Sequence, residues 1–228
     1  MQPLVQSGVG LSAAPSLKGR TRVMVKRALD LTVSISLLLF LSPLMTVIAA
    51  AIKLDSQGGV LFKQQRLGKG GRPFMILKFR SMYVGADHSV HRQAVRNFAA
   101  GRPVSFVNGK PWFKLSQDPR VTRVGRLLRA TGLDELPQLI NVIRGDMSLV
   151  GPRPAIPYEL EFYKDWHHQR FAVRPGISGL WQVKRNGATS LDDMVKQDIE
   201  YIRSFSIRLD LKIMLATIPK VVLRGWAL

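Results

Sequence analysis

The sequence predicts a mainly helical α+β chain held at a lipid bilayer by a re-entrant membrane helix, with a small cytosolic domain built from a β-hairpin and interfacial amphipathic helices. Three observations predict it. Residues 31 to 52 run for 22 positions without a charge, which as a helix measures ~33 Å and suffices for a bilayer core. Two strand-like runs, "VLFKQQRL" and "FMILKFRSM", flank the turn "GKGGRP". Beyond residue 120 the apolar residues recur at helical spacing.

Taken in order, residues 1–25 are rich in Gly, Ser, Pro and Ala, with Lys18, Arg20 and Arg22 near their end, and read as a flexible basic arm. Residues 26–54 form the membrane helix. Ser42 and Pro43 fall almost at its centre, where proline deletes the hydrogen bond to the Leu39 carbonyl, so a break is expected there. Basic residues flank both sides: Lys26 and Arg27 before, Lys53, Lys63, Arg66, Lys69 and Arg72 after. Each flank favours the cytoplasmic face, and a helix that enters and leaves on that face satisfies both. An ordinary kinked span is the alternative.

Residues 55–228 form the membrane-associated cytosolic domain. After the hairpin, residues 84 to 117 read as a long loop, and "RVTRVGRLLRATG" as a short basic helix ending at Gly132. A helix is expected from Pro157 to about His167, then "RPGISGLWQV" as a turn leading into a strand. Ser190 is the expected N-cap of the next helix. The last apolar segment, "IRLDLKIMLATIPKVVLRGWAL", suits a helix lying on lipid, or a core helix.

Composition narrows the partners. The net charge of +19, from 34 Lys and Arg against 15 Asp and Glu, draws the chain to polyanions: nucleic acid, an anionic membrane surface or phosphorylated substrates. No nucleic-acid-binding module is evident, so nucleic acid is not an expected partner. With no cysteine, thiolate metal sites and disulfides are excluded. The histidines, His88, His91, His167 and His168, have no ligand spacing and read as solvated surface residues. Trp112, Trp166 and Trp181 read as packing or interface anchors.

Against that positive background Asp134 and Glu135 stand side by side. Pro137 is tolerated only in a first turn, so the pair is expected at a helix N-terminus. Simple capping would explain both acids. A helix start also suits an anionic ligand, and Arg129 and Arg153 carry the planar fork that grips phosphate oxygens. Carboxylates facing phosphates need a divalent ion between them, and Mg2+ takes one or two carboxylates plus substrate phosphate. Acids, arginines and lipid together suggest phosphoryl transfer at a membrane surface.

The runs "KFRSM", "DPRVTRVGRLLR", "LDELPQLINVIRGDMSLVGPRP" and "RPGISGLWQV", preceded by a Ser-Pro-containing membrane helix, resemble the bacterial sugar transferases, monotopic polyprenyl-phosphate phosphoglycosyl transferases that initiate exopolysaccharide assembly. The resemblance covers roughly residues 24 to 224. It implies transfer of a sugar 1-phosphate from a UDP-sugar to polyprenyl phosphate at the bacterial inner membrane, with Mg2+ and release of UMP. It also implies Asp134 as nucleophile and metal ligand, Glu135 as its partner, Arg129 on the lipid phosphate, and Lys78, Arg80 and Arg153 near the anionic groups, with Gln138 in support. Gly132 and Ser178 depart from the common Ser and Thr of relatives. A non-catalytic scaffold of a glycan-assembly complex remains the rival reading. The oligomeric state is open, a homodimer being one option, and so is the identity of the sugar.

Overall fold

The computed structural model describes residues 17–86, 89–102, 105–107, 110–112, 118–184 and 190–223. Residues 1–16 of the expected arm, and His88, lie outside them. Helix α1 runs Leu17–Asp55. The arm therefore turns helical eight residues before its expected end, because the chain from Leu17 to Val25 holds helix-compatible residues up to the apolar stretch and no proline. The antiparallel hairpin β1 (Leu61–Leu67) and β2 (Pro73–Phe79) follows, in register from Leu61 opposite Phe79 to Leu67 opposite Pro73. Gly70 and Gly71 supply the positive φ angles of its turn.

Next come α2 (Ser89–Ala99), the antiparallel pair β3 (Ser105–Val107) and β4 (Lys110–Trp112), and α3 (Arg123–Thr131). A 3-10 turn, Leu133–Glu135, leads to α4 (Gln138–Arg144). Strand β5 (Ser148–Val150) pairs in parallel with β6 (Gly176–Ser178), and two 3-10 segments, Pro157–Phe162 and Asp165–Ala172, lie between them. The chain ends in α5 (Leu180–Val183), α6 (Leu191–Arg203) and α7 (Ile207–Leu223). A mainly helical α+β arrangement with small sheets is what the sequence led us to expect.

Several local expectations are corrected. The loop expected over residues 84 to 117 contains α2, which forms because Phe98 and Ala99 dock on Leu191, Met194, Val195 and Ile199 of α6. The helix expected from Pro157 splits into two 3-10 pieces where Tyr163 and Lys164 turn extended. "GLWQV" coils as α5 rather than extending as a strand. Ser190 caps α6 as expected, its hydroxyl accepting from the Asp193 N–H at 3.1 Å.

At Ser42 and Pro43, the expected break, helical backbone continues as part of α1. Proline leaves the Leu39 carbonyl without its helical partner, and the Ser42 hydroxyl takes that carbonyl at 2.8 Å. Thr46 bonds back to the Ser42 carbonyl at 3.0 Å in the next turn. The middle of α1 is apolar and open, with Phe40 80% exposed. It is long and apolar enough to cross a membrane.

Both ends of α1, by contrast, are held by the folded domain. Near its start Arg27 donates to the carbonyls of Val142 (2.7 Å) and Ile143 (3.0 Å) at the end of α4. Asp30, buried, accepts from the Ser148 hydroxyl (2.8 Å) and the Leu149 N–H (3.2 Å). Near its finish Ile48 and Ile52 pack with Phe79 and Leu128. Asp55 accepts from the Val124 N–H at 3.0 Å, at the first turn of α3. A second core gathers Leu139, Leu149, Val150, Tyr201 and Ile213, with Val33 and Leu38 of α1 against it.

Two local devices, one polar and one steric, lock the domain. Asn141 mimics a strand beside β2, accepting from the Leu77 N–H (2.9 Å) and donating to the Met75 carbonyl (2.8 Å). Gly125 lets α3 press on the chain leaving β2, since a Cβ there would stand 2.1 Å from the Ser81 carbonyl oxygen. Gly125→Ala is accordingly expected to destabilise the protein by about 2 kcal/mol, as an overpacked core does. A thermal-unfolding midpoint equal to that of the unaltered protein would contradict this packing.

Candidate active site

Helix α3 ends at Gly132, whose φ of 69° turns the chain sharply. Leu133 and Leu136 then drop onto the Ile48, Ile52, Phe79 and Leu128 cluster, and Asp134 and Glu135 are carried between them in the 3-10 turn. The acids thus precede α4, which starts only at Gln138, and do not sit on its N-terminus as the sequence suggested. Pro137 has no N–H to offer the preceding turn, and the left-handed Gly132 starts a separate one.

Lys78 of β2 meets the pair directly, its Nζ lying 2.5 Å from Glu135 Oε1. Asp134, half-buried, forms no ion pair among the described residues. Burial pushes its carboxyl up to about 6; Lys78 opposes the rise, Glu135 adds to it and Arg129 opposes it again. A carboxylate desolvated beside a like charge is poised to gain a positive partner. Arg129 supplies one nearby charge from α3, where its Nε donates to the Ser81 hydroxyl at 3.1 Å. Burial lowers the Arg129 guanidinium, and Asp134 and Asp118 pull it back.

The remaining expected residues divide. Arg80, 6% exposed, is spent elsewhere: its guanidinium holds the carbonyls of Ile52 (3.3 Å), Ser56 (2.7 Å) and Gln57, closing the C-terminal end of α1. Gln138 is buried in the first turn of α4. Arg153 is engaged by a different acid, its Nη1 donating to Glu159 Oε1 at 3.1 Å. Buried Arg66 feels both the Arg153 and the Glu135 charges. Burial first, then Arg153, lowers Arg66 to about 10.

Sequence reasoning passed over Arg66, Glu159, Arg170 and Asp198. Arg66 had been read as a mere basic flank, and the other three carry no local motif. Buried Arg170 bonds Asp198 Oδ2 (2.5 Å) and the Arg153 carbonyl (2.9 Å). His167 corrects the expectation of surface histidines: it is fully buried, accepting from the Lys164 N–H (3.2 Å) and facing Asp192 (3.1 Å). Trp166 and Trp181 pack on the α6 cluster, as anchors should. Among the described residues no three His, Asp or Glu gather as a metal cage.

Comparison with known proteins speaks to this geometry. Residues 21–224 match the family described as bacterial sugar transferase. The chain is 42% identical over 206 residues to the galactosyl transferase CpsE of Streptococcus agalactiae, covering 90% of this chain and 43% of that protein. It is 38% identical over 198 residues to the exopolysaccharide production protein ExoY of Sinorhizobium fredii, covering 87% of this chain and 85% of ExoY. A third relative, the UDP-glucose:undecaprenyl-phosphate glucose-1-phosphate transferase of Caulobacter vibrioides, is 42% identical over 205 residues, covering 86% of this chain and 69% of its own. The chain thus spans less than half of CpsE but most of ExoY. With the family match running from within α1 to just past the end of α7, the chain belongs to the bacterial sugar transferase family.

Proposed function

We propose that the chain transfers a sugar 1-phosphate from a UDP-sugar to a polyprenyl phosphate such as undecaprenyl phosphate, the first membrane step of exopolysaccharide or related glycan assembly. The observation that carries this is Asp134: a half-buried carboxylate pushed up to about 6, flanked by Glu135, Lys78 and Arg129, in a turn packed on the end of an apolar helix. Relatives named for UDP-glucose, galactose and undecaprenyl phosphate support the substrate classes.

In the proposed mechanism an Asp134 oxygen attacks the β-phosphorus, the bond to the α-phosphate bridge oxygen breaks, and UMP leaves. An aspartyl-phosphosugar remains. An oxygen of the polyprenyl phosphate then attacks the same phosphorus, the aspartyl bond breaks, and Asp134 is freed as a carboxylate. Lys78 holds Glu135 while phosphates approach, and Arg129, beside the exit of α1, meets the lipid phosphate. Asp134 and Glu135 fit Mg2+ only in the way that ion is usually held, with one or two carboxylates and the rest from substrate phosphates and water. Bound there, Mg2+ would neutralise charge on the transferring phosphoryl group.

The re-entrant path of α1 belongs to the same proposal. A straight crossing would leave Asp30 and Asp55 on opposite faces of a bilayer, yet a single folded domain grips both. Such a helix places the domain on one face, which the basic flanks favour as the cytoplasmic face of the inner membrane. A role as a non-catalytic scaffold is the second reading, since the same fold could recruit partners without turning over.

The decisive assay is UMP release from a panel of UDP-sugars with polyprenyl phosphate and Mg2+. Asp134→Asn should reduce it by at least about 10³-fold, as loss of a nucleophile does; full turnover in that variant would remove Asp134 from the chemistry, and a wild-type protein releasing no UMP would favour the scaffold. The raised carboxyl also has a pH consequence. Between the ordinary value near 3.8 and about 6 the folded protein binds more protons at Asp134 than the unfolded chain, so its contribution to stability declines as pH rises across that window. We therefore expect kcat/KM to fall below pH 6 as the nucleophile protonates, and ligand-free Asp134→Asn to melt higher than wild type above pH 6; a flat profile with no gain in melting temperature would refute the burial of this charge. Because the chain has no cysteine, Arg22→Cys and Ser204→Cys can each be labelled singly in sealed vesicles. Both should react from the same side, and labelling from opposite sides would restore a straight span.

A further inference from the structure

Four charged side chains that the proposed chemistry does not use converge on Arg153. Glu159, whose side chain is 3% exposed, takes the Arg153 guanidinium at 3.1 Å, while the Arg153 side chain remains 29% exposed. Arg170, 1% exposed, donates Nη2 to the Arg153 carbonyl at 2.9 Å and is itself held by Asp198 and the Tyr163 hydroxyl. Arg66, 8% exposed, donates Nη1 to the next carbonyl, that of Pro154, at 2.9 Å. The carbonyl after that, of Ala155, accepts from the Leu67 N–H at 2.9 Å. The backbone from Arg153 onward is thus held at three successive carbonyls, and the Arg153 head at one carboxylate oxygen.

Such an arrangement is costly to maintain. Three guanidiniums share two buried acids, and Glu159 Oε2, Asp198 Oδ1, Arg66 Nε and Arg170 Nε have no hydrogen-bond partner among the described residues. Packing alone would be served more cheaply by apolar side chains. What the charges achieve is an Arg153 with one edge of its fork tied down, the rest facing solvent, and a surplus of positive charge behind it. Arg129, by contrast, follows Leu128, which packs on Ile48 and Ile52 of α1.

We propose that Arg66, Glu159 and Arg170 are positioning residues that preset Arg153 to grip the diphosphate of the water-soluble nucleotide sugar, leaving the membrane-side Arg129 to the lipid phosphate. This rests on the function proposed above. Glu159 is the member to alter, because glutamine keeps its shape and removes the charge that orients Arg153.

The test uses the full chain in lipid nanodiscs. Glu159→Gln should raise KM for the UDP-sugar roughly tenfold, the size expected for losing a charged hydrogen bond, with a much smaller change in kcat and KM for polyprenyl phosphate unmoved. In an Arg153→Ala background the same substitution should add nothing to KM. A purely structural role would instead lower the active fraction equally for both substrates and persist in that background, and either result overturns the proposal. Equilibrium binding of UDP, measured without turnover and with UMP as the single-phosphate control, separates the two readings. Should wild type turn nothing over yet bind UDP more weakly after Glu159→Gln, the cage stands and the proposed reaction fails. Should wild type turn over with UDP binding and KM unchanged in Glu159→Gln, the reaction stands and the cage fails.

Discussion

The structure depends on the junction where α1 ends. Arg80 gathers the carbonyls of Ile52, Ser56 and Gln57, groups that a helix end leaves without partners, and Asp55 takes a free N–H at the start of α3. The apolar helix and the acid-bearing turn are thereby one rigid piece. Leu133 and Leu136 bury against the same Ile48 and Ile52, so the position of α1 fixes that of Asp134.

From that constraint follows the electrostatic character of the site. A turn wedged against apolar side chains desolvates Asp134, and the adjacent Glu135 charge raises its carboxyl further; Lys78 pairs with Glu135 and leaves Asp134 with no ion pair among the described residues. Beyond Lys78, positive charge acts on the pair from a distance, Arg129 on Asp134 and Arg66 on Glu135. The cost of holding a half-buried, underneutralised carboxylate is met by packing elsewhere, in the two cores above and below β5 and β6. Stability given up at such a place is a common companion of reactivity.

Much of this was legible in the chain itself because the signals are local. A run of 22 uncharged residues, a glycine-proline turn between alternating runs, Gly132 as a helix stop and Ser190 as a cap each act within a few positions. The doublet of Asp134 and Glu135 was conspicuous for its charge against a basic background. What the sequence could not show was equally local: the Ser42 hydroxyl's reach to the Leu39 carbonyl is a matter of geometry, and the approach of Arg80 to the Gln57 carbonyl cannot be inferred from spacing.

The sequence by itself determined that an apolar helix precedes a mixed domain, that the protein is strongly basic, and which two acids stand out, since hydrophobic period, net charge and turn chemistry are written in neighbouring residues. Only the tertiary structure decided what each cation does. Arg66, Arg80, Arg129, Arg153 and Arg170 are alike as letters, and they differ in function because folding buries some against carbonyls and others beside carboxylates 6 to 88 positions away along the chain. Burial and partner choice are long-range properties, and they determine which arginine remains free to meet a phosphate.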